Sequence, residues 1–344
     1  MLSLFSVKPS VFSVYLNRYD SGRKFVKPKI LLTAPIAQAV TEQLHAACEL
    51  RHWTESPQIP RAALLEWTHG VDGILCMWHD KIDGDVLDAA GTQLKVVSTM
   101  SVGYDHIDIA ACRKRGINVG NTPGVLTETT AELAMALLLA TARRIPEAAS
   151  AVKAGAWGPW QAEWMAGRDI HGSTVGLVGL GRIGAALGRM LSGFGCRILY
   201  TGPRPKPELA DPITARYANL DTLLAESDFV SLHCPLNAET RHLVNRDFLG
   251  KMKRSATLIN TTRGGVVDQD ALYHALHEGV IAAAGLDVTT PEPLPAEHKL
   301  LTLANCVILP HIGSASLATR TRMAQMAADN LVAGVTGAPL PNSL

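Results

Sequence analysis

The sequence has 344 residues, which is too long for one small core and suits about two domains. Hydrophobic residues make up 47% and charged residues 18% of the chain, so a packed globular protein is expected and a disordered one is excluded. The formal net charge of +1 gives no electrostatic reason to expect a nucleic acid or a membrane as a partner, and no apolar run approaches the roughly 18 residues that suggest a membrane span.

The first 28 residues form a leader that differs in composition from the rest of the chain. Lysine, arginine and serine recur along it, and Asp20 is its single acidic residue. This composition resembles a mitochondrial transit peptide, with a disordered leader or a start codon assigned too early as the alternatives. The six scattered cysteines include no C-x-x-C pair, so they predict no metal site and fit a reducing compartment. We expect a cytoplasmic protein, with a mitochondrial location as the alternative.

Short apolar runs alternate with helical patterns along most of the chain, which predicts parallel sheets. The first half has predicted strands at 29–33, 73–77 and 94–99, a predicted helix at 38–49, and a longer one at 129–143 that Pro146 follows. Pro123-Gly124 is a candidate hinge before the long helix. Strands and helices alternate again from His171 to Pro310, and residues 316–335 form a predicted final helix.

A glycine-rich turn is the central motif of the sequence. Gly179, Gly181 and Gly184 have the spacing G-x-G-x-x-G, with a predicted strand before them and a predicted helix after them. In a dinucleotide-binding turn the first glycine permits the tight turn, the second lets the backbone approach the pyrophosphate, and the third lets helix and strand pack closely. Three glycines can also serve a simple structural turn, but the strand and helix around them favour a dinucleotide site.

The loop after the next predicted strand, 196–201, indicates which dinucleotide is bound. An NAD enzyme usually has an acidic residue about 20 residues after the turn to hold the ribose hydroxyls. Here Arg204 and Lys206 follow the strand, and no carboxylate occurs before Glu208. Two cations favour a 2′-phosphate and therefore NADPH, with NADH as the weaker alternative; a solvated basic loop is the other interpretation.

Four residues at the ends of later predicted strands suggest hydride-transfer chemistry. Arg263 can clamp a carboxylate with its planar guanidinium, and His311 can donate a proton because an unperturbed imidazole titrates near neutral pH. Glu292 can hold the imidazole, and Asp287 is better placed for the nicotinamide side. Alone, three of the four have a plainer explanation: a surface ion pair for Arg263, a turn for Glu292 and a core position for His311. Their order after a dinucleotide turn favours reduction of a 2-oxo acid.

These motifs together resemble the D-isomer-specific 2-hydroxyacid dehydrogenase family, from about residue 30 to the end of the chain. The resemblance rests on the glycine turn, on Asn260 to Gly264, on Gly285 to Val288 with Glu292, and on Pro310 to Gly313. It implies an α/β fold of two Rossmann-like domains with parallel sheets, the second inserted in the first. A flavodoxin-like substrate domain would comprise residues 29–122 and 309–344, and an NAD(P)-binding Rossmann domain residues 123–308.

The resemblance also implies roles for particular residues. The catalytic residues would be Arg263, Glu292 and His311, and backbone amides near Val102 and Gly103 would bind the substrate carboxylate. The implied cofactor contacts are Gly179, Leu180, Gly181, Arg182, Ile183, Gly184, Thr201, Pro203, Arg204, Pro205, Lys206, Pro235, Thr261, Asp287 and Gly313. The family usually forms homodimers, and Trp157 would either reach the active site of the partner or pack in the dimer.

Within the family, the chain is most similar to members that reduce glyoxylate to glycolate and hydroxypyruvate to D-glycerate with NADPH. Other D-2-hydroxyacid dehydrogenases remain alternatives, and the short stretch after His311 argues against the long phosphoglycerate dehydrogenases. Formate dehydrogenases have glutamine where this chain has Glu292. The dinucleotide-sensing corepressors of the family keep the same motifs and are a second alternative. Close relatives often have Asp in place of Gly265, which lies outside the catalytic set.

Overall fold

The computed structural model describes residues 26–344, so most of the leader analysed above lies outside the described residues. The chain divides into two compact units. The first comprises the residues up to Leu126 together with Ser316–Leu344, and the second comprises Thr127–Ala315. Both units are layered α/β structures with a parallel sheet.

The first unit contains a five-stranded parallel sheet in the order β2-β1-β3-β4-β5. Its strands are β1 (Lys29–Leu32), β2 (Glu49–His52), β3 (Gly73–Cys76), β4 (Val96–Thr99) and β5 (Asn118–Gly120). Its first four helices are α1 (Gln38–Ala47), α2 (Arg61–Trp67), α3 (Gly84–Ala90) and α4 (Ile109–Lys114), and the C-terminal helix is α12 (Leu317–Val335). This strand order is that of a flavodoxin-like sheet.

The consecutive apolar residues of β1 explain why helices cover both faces of this sheet. Ile30 and Leu32 belong to one buried cluster, with Leu331 of α12, whereas Leu31 belongs to a second cluster with Leu64 of α2. Successive side chains of a strand point to opposite faces, so a strand that is apolar throughout needs a layer on each side. The C-terminal helix therefore forms part of the first core.

The second unit contains a seven-stranded parallel sheet in the order β12-β11-β10-β9-β6-β7-β8. Its strands are β6 (Thr174–Val178), β7 (Arg197–Thr201), β8 (Arg216–Tyr217), β9 (Phe229–Leu232), β10 (Thr257–Asn260), β11 (Ala283–Leu286) and β12 (Cys306–Ile308). Its α-helices are α5 (Thr127–Ala142), α6 (Ile145–Lys153), α7 (Arg182–Ser192), α8 (Pro207–Ala210), α9 (Leu220–Glu226), α10 (Arg246–Lys251) and α11 (Gln269–His277). Short 3-10 helices span Asp211–Ile213, Gly264–Val266 and Lys299–Thr302.

The strand order of the second unit confirms the predicted Rossmann-like fold. It reverses between β6 and β9, which pair directly although β7 and β8 come between them in sequence. In open α/β sheets, ligands bind outside the carboxyl ends of the strands at such a reversal. The glycine-rich turn follows β6 and therefore stands at this point.

Three local features differ from the sequence-based expectations. The predicted helix 38–49 ends at Ala47, and Glu49 begins β2. Pro146 follows the end of α5, as expected, but it also lies in the first turn of α6, a helix that was not predicted and in whose first turn a proline loses no hydrogen bond. Residues 309–315 were assigned to the substrate domain, whereas the structure groups them with the seven-stranded sheet, since the Leu309 N–H donates to the Leu286 carbonyl at 2.8 Å.

Residues 26–344 contain neither a membrane-crossing helix nor a candidate metal cluster. Within that range, no helix is both long and apolar enough to cross a membrane. The same residues contain no cluster of three or more histidine, cysteine or acidic side chains arranged to hold a metal ion.

Candidate active site

The glycine-rich turn has the geometry that its spacing predicts. Gly179 has φ of +98°, and a Cβ there would lie 2.8 Å from the backbone carbonyl carbon of His233. A Cβ on Gly184 would lie 2.8 Å from the carbonyl oxygen of Gly179. A Cβ on Gly181, in contrast, would meet no described atom within 4 Å. The two outer glycines are thus needed by the fold, and the middle glycine leaves open space above the turn.

The start of α7 completes a site that fits a pyrophosphate. Gly181 is the N-cap residue and has no side chain to bond the first amides of the helix, which begins at Arg182. The amides of the first helical turn lack partners within the helix and carry a partial positive charge, so they attract an anion. Leu180 precedes Gly181 in the chain, and Arg182 and Ile183 follow it. The resemblance implies that these three residues contact the cofactor. The open space at Gly181 and the amides fit a dinucleotide.

The loop after β7 is held in place by two tyrosines. The Tyr217 hydroxyl donates to the Gly202 carbonyl at 3.0 Å, and the Lys206 N–H donates to the Tyr200 hydroxyl at 2.9 Å. Strand β7 is linked to the turn as well, because the Gly179 N–H donates to the Thr201 carbonyl at 2.9 Å. Loop and turn therefore form one structured edge of the candidate cofactor site.

The two cations of this loop are placed differently. The Lys206 ammonium donates to the Leu180 carbonyl at 3.0 Å, within the glycine-rich turn. Arg204 is exposed, and prolines 203 and 205 flank it. The structure thus places one cation on the turn and presents the other to solvent.

His311 and Glu292 form a hydrogen-bonded pair at the carboxyl edge of the seven-stranded sheet. The Nδ1 atom of His311 lies 2.7 Å from Oε2 of Glu292, and both side chains are largely buried. The other carboxylate oxygen, Oε1, accepts from the Thr289 N–H at 2.9 Å. Because the carboxylate can only accept, Nδ1 carries the proton of this bond. The ring is oriented with Nε2 on the opposite side, as a proton donor requires.

Asp287 holds the backbone that carries His311. Its two carboxylate oxygens accept from the N–H groups of Ile312 and Gly313, each at 2.8 Å, and its carbonyl accepts from the His311 N–H at 2.9 Å. Burial raises the pKa of the Asp287 carboxyl, and the two amide donors oppose this rise. His311 itself has φ of +52°, a left-handed conformation that costs free energy in a residue other than glycine. Three hydrogen bonds to Asp287 stabilise that conformation.

Arg263 lies on the neighbouring loop, three residues after the end of β10 at Asn260. Its carbonyl accepts from the Asn260 side-chain amide at 3.0 Å, and its guanidinium donates to the Thr262 carbonyl at 3.0 Å. A Cβ on Gly264 would overlap the Thr289 carbonyl, so only glycine allows this loop to approach the loop of Glu292 so closely. Gly265 differs, because a Cβ there would lie 3.1 Å from Leu236, a contact that a small adjustment relieves.

The remaining predicted contacts of the second unit lie on the same sheet edge. Pro235 follows β9, and its carbonyl accepts from the Thr240 hydroxyl at 2.6 Å. Thr261 follows β10, and its buried hydroxyl has no hydrogen-bond partner among residues 26–344. A buried polar group without a partner is costly, so a bound ligand group is a reasonable partner for it.

His233 is a residue of this edge that the sequence analysis missed. Its Nε2 atom lies 2.9 Å from the Ser231 hydroxyl, and its Nδ1 atom is buried without a partner in the described part of the chain. Burial lowers the pKa of His233 to about 4. The ring supports the glycine turn, because a Cβ on Gly184 would stand 3.5 Å from it. His311 was singled out because it comes just after a predicted strand. His233 has the same position after β9 and could have been found by the same signal.

The predicted carboxylate-binding turn belongs to the first unit. The Ser101 hydroxyl donates to the Gly103 carbonyl at 2.6 Å, and the Asn121 amide donates to the Val102 carbonyl at 2.9 Å. Side chains that follow β4 and β5 therefore hydrogen-bond both of these carbonyls. Trp157 belongs to the second unit, on the segment after α6, and 72% of its surface is exposed.

A Rossmann sheet with a pyrophosphate-compatible turn and a histidine–glutamate pair at its carboxyl edge defines an NAD(P)-dependent dehydrogenase. Comparisons with known proteins give the same class and a narrower family. The model of the D-isomer specific 2-hydroxyacid dehydrogenase NAD-binding domain matches residues 135–313. The chain belongs to the D-isomer-specific 2-hydroxyacid dehydrogenase family, it is an oxidoreductase, and its cofactor is a nicotinamide dinucleotide.

Three similar proteins show how far the likeness extends. The chain is 51% identical over 319 residues to the glyoxylate reductase/hydroxypyruvate reductase of Mus musculus, which covers 92% of this chain and 97% of that protein. It is 53% identical over 300 residues to the protein of the same name from Homo sapiens, covering 87% of this chain and 92% of that one. The crystal structure of an NADPH-dependent glyoxylate/hydroxypyruvate reductase from Sinorhizobium meliloti, in complex with NADP and malonate, matches with a TM-score of 0.80 and 34% identity, covering 93% of this chain and 97% of that one.

Proposed function

We propose that this protein reduces glyoxylate to glycolate and hydroxypyruvate to D-glycerate with NADPH. The observation that carries the proposal is the Glu292–His311 hydrogen bond, 2.7 Å long, at the carboxyl edge of the dinucleotide-binding sheet. The names of the mouse and human relatives support these substrates. Reduction of a carbonyl group needs a proton donor, and the Glu292 carboxylate holds His311 in position for that role.

The residues of the second unit divide the chemistry among them. Thr261, Asp287 and Gly313 would hold the nicotinamide end of the reduced cofactor, which would supply a hydride to the carbonyl carbon of the substrate. His311 gives its Nε2 proton to the carbonyl oxygen, on which negative charge develops, and Glu292 stabilises the protonated ring before this transfer. Arg263 pairs with the substrate carboxylate and polarises the carbonyl group. Asp287 keeps the His311 backbone in place, and Val102 and Gly103 of the first unit remain predicted contacts of the substrate carboxylate.

The preference for NADPH is proposed from the loop after β7. Arg204 and Lys206 supply two positive charges there, and the first carboxylate, Glu208, comes only after them. A 2′-phosphate is stabilised by such cations, whereas a free ribose 2′-hydroxyl is usually held by an acidic residue at this point. The NADP complex of the Sinorhizobium meliloti relative supports the same preference.

The test is a comparison of substrates and cofactors with the purified protein. Oxidation of NADPH is followed optically with hydroxypyruvate, glyoxylate and pyruvate in parallel, and the series is repeated with NADH. We expect rapid turnover of hydroxypyruvate and glyoxylate, and a higher kcat/KM with NADPH than with NADH. Tight dinucleotide binding without turnover of any 2-oxo acid would overturn the proposal in favour of a dinucleotide-sensing protein.

We also propose that the protein is a homodimer built through the second unit. Five large apolar side chains within residues 145–164 are exposed: Ile145, Val152, Trp157, Trp160 and Trp164. A cavity of about 870 Å³ adjoins this segment and is lined by Pro146, Glu147 and Ser150 among others. A concentrated exposed apolar surface is typical of a protein interface.

A cytoplasmic location remains a prediction, which fractionation of cells that express the full chain would check.

A further inference from the structure

Residues 101–103 form the turn after β4 that is predicted to bind the substrate carboxylate. Among residues 26–344, the N–H groups of Val102 and Gly103 have no hydrogen-bond partner. Adjacent backbone amides without partners attract an anion. A hydrogen bond weakens steeply as it bends, so the direction of these two N–H groups determines how well the turn binds a carboxylate.

The directions of both N–H groups are set by the residues that follow β5. Both peptide bonds are trans, so the carbonyl of one residue and the N–H of the next point in opposite directions within one plane. The Thr122 N–H donates to the Ser101 carbonyl at 2.9 Å, which fixes the direction of the Val102 N–H. The Asn121 side-chain amide donates to the Val102 carbonyl at 2.9 Å, which fixes the direction of the Gly103 N–H.

Asn330 of α12 in turn holds Asn121. Its side chain is fully buried, and its amide nitrogen donates to the Asn121 carbonyl at 2.9 Å. Its Oδ1 atom accepts from the Asn342 N–H at 2.9 Å, and the Asn342 carbonyl accepts from the Asn121 N–H at 3.3 Å. A Cβ on Gly120 would lie 2.9 Å from Cγ of Asn330, so a glycine is needed at this close approach. The backbone of Asn121 is therefore fixed at both its N–H and its carbonyl.

We infer that Asn121 and Asn330 are positioning residues for the substrate: Asn330 fixes Asn121, and Asn121 aims an amide that binds the substrate carboxylate. The inference rests on the proposed function, since it takes Val102 and Gly103 as contacts of that carboxylate. Neither asparagine needs to touch the substrate. Helix α12, which otherwise packs in the core of the first unit, thereby contributes to substrate affinity.

Kinetics, calorimetry and amide NMR spectra of two alanine variants test the inference. Loss of one hydrogen bond corresponds to a loss of affinity of about 10-fold. We expect Asn121→Ala and Asn330→Ala to raise the KM for hydroxypyruvate, and the Kd of the non-reducible analogue oxamate, by about that factor. The kcat and the Kd of NADPH should stay within about twofold, because an interaction that only orients the bound substrate acts on KM. In 15N-labelled protein, the amide resonances of Val102 and Gly103 should shift in both variants.

Matched controls lie on the same two elements. Asn118→Ala changes an exposed asparagine of β5, and Gln325→Ala changes a half-buried amide of α12 that bonds to Asp329. Both should keep the KM and the amide resonances of the wild type. Melting temperatures establish that each variant is folded.

Two more variants make the test independent of a single substitution. Asn330→Asp keeps the size of the side chain and the acceptor for Asn342 but loses the amide donor to Asn121, so it tests Asn330 if the alanine variant does not fold. The double variant Asn121→Ala, Asn330→Ala should raise KM by less than the product of the single effects, because both act through the Val102 carbonyl.

Three results would overturn the inference. Folded variants with an unchanged KM would refute it, whether or not the amide resonances shift. A decrease in kcat and in NADPH affinity as large as the increase in KM would indicate a general structural role instead. A wild type that reduces no 2-oxo acid would contradict the proposed function, and unshifted amide resonances in both variants would then still refute the positioning of the turn by the two asparagines.

Discussion

Glu292 shows how a single side chain fixes the geometry of the candidate active site. One carboxylate oxygen accepts from the Thr289 amide of its own loop, and the other bonds to His311. The backbone bond restrains the carboxylate, and the carboxylate in turn restrains the imidazole. A positioned ring with a defined proton is what general acid catalysis requires.

Replacement of His311 by glutamine removes the proton donor. We expect His311→Gln to lower kcat by about 10²–10⁴-fold, the usual contribution of general acid–base catalysis. The dissociation constant of NADPH should stay within about twofold, since the glycine turn is untouched. Steady-state kinetics and calorimetry check the two expectations. Turnover at the wild-type rate would refute the assignment of His311.

Replacement of Glu292 by glutamine keeps the shape of the side chain and removes its charge. The protonated ring then loses its anionic partner, and we expect kcat to fall by about 10²-fold or more with little change in dinucleotide binding. Glu297→Gln is a matched control, because Glu297 is an exposed carboxylate of the same segment. Equal kcat values in both variants would show that Glu292 has only a structural role.

His233 should make the stability of the second unit depend on pH. The folded-state pKa, lowered to about 4, is below the ordinary value of 6.5, so the unfolded chain binds more protons between these values. Stability is therefore complete above pH 6.5 and is lost as the pH falls. The expected loss from this group between pH 7 and pH 5 is about 2 kcal/mol.

Denaturant unfolding of the wild type and of His233→Gln at both pH values measures this contribution. The variant should lose less stability than the wild type on acidification, because its residue 233 does not titrate. An identical decrease in both proteins would contradict a buried neutral His233.

At the scale of elements, the unit formed by β6, the glycine turn and α7 separates folding from binding. Gly179 and Gly184 are required by close backbone contacts, whereas Gly181 faces open space. The three glycines of one motif therefore serve different purposes. The fold needs the outer two, and the ligand needs the middle one.

Alanine substitutions test this separation. We expect Gly181→Ala to keep the melting temperature within about 2 °C and to weaken NADPH at least about 10-fold, since its methyl group occupies the space above the turn. Gly179→Ala should destabilise the protein by about 1–3 kcal/mol, because its φ of +98° and its contact with His233 disfavour a side chain. Thermal unfolding and calorimetry distinguish the two. A stable Gly181→Ala variant with normal NADPH binding would place the pyrophosphate elsewhere.

At the scale of the whole molecule, the exposed tryptophans after α6 indicate how chains associate. Trp157 and Trp160 are 72% and 86% exposed. Large aromatic side chains contribute much of the binding energy at protein interfaces, so their exposure here marks a candidate interface. Residues 145–164 are therefore expected to be covered in the proposed homodimer.

Substitution of these tryptophans should dissociate the proposed dimer. We expect light scattering to give a dimer mass for the wild type and a monomer mass for the double variant Trp157→Ser, Trp160→Ser at micromolar concentration. Tyr104→Ser is a suitable control, because Tyr104 is 46% exposed in the first unit. A monomeric wild type would refute the dimer. If Trp157 also shapes the partner's substrate site, Trp157→Ser alone should raise KM for hydroxypyruvate without dissociating the dimer.

The sequence by itself determined the fold class and the glycine turn, and it predicted the set of Arg263, Glu292 and His311. Those features are local, because each depends on a strand, a turn and a residue type within a short stretch. Only the tertiary structure decided which groups meet. The contact of Lys206 with Leu180, the bonds of Asp287 to residues 312 and 313, and the approach of Gly264 to Thr289 join segments 25 or more residues apart, with spacings set by how parallel strands pack. A sequence pattern contains no such distances, so the separate environments of Arg204 and Lys206 became visible only in the folded chain.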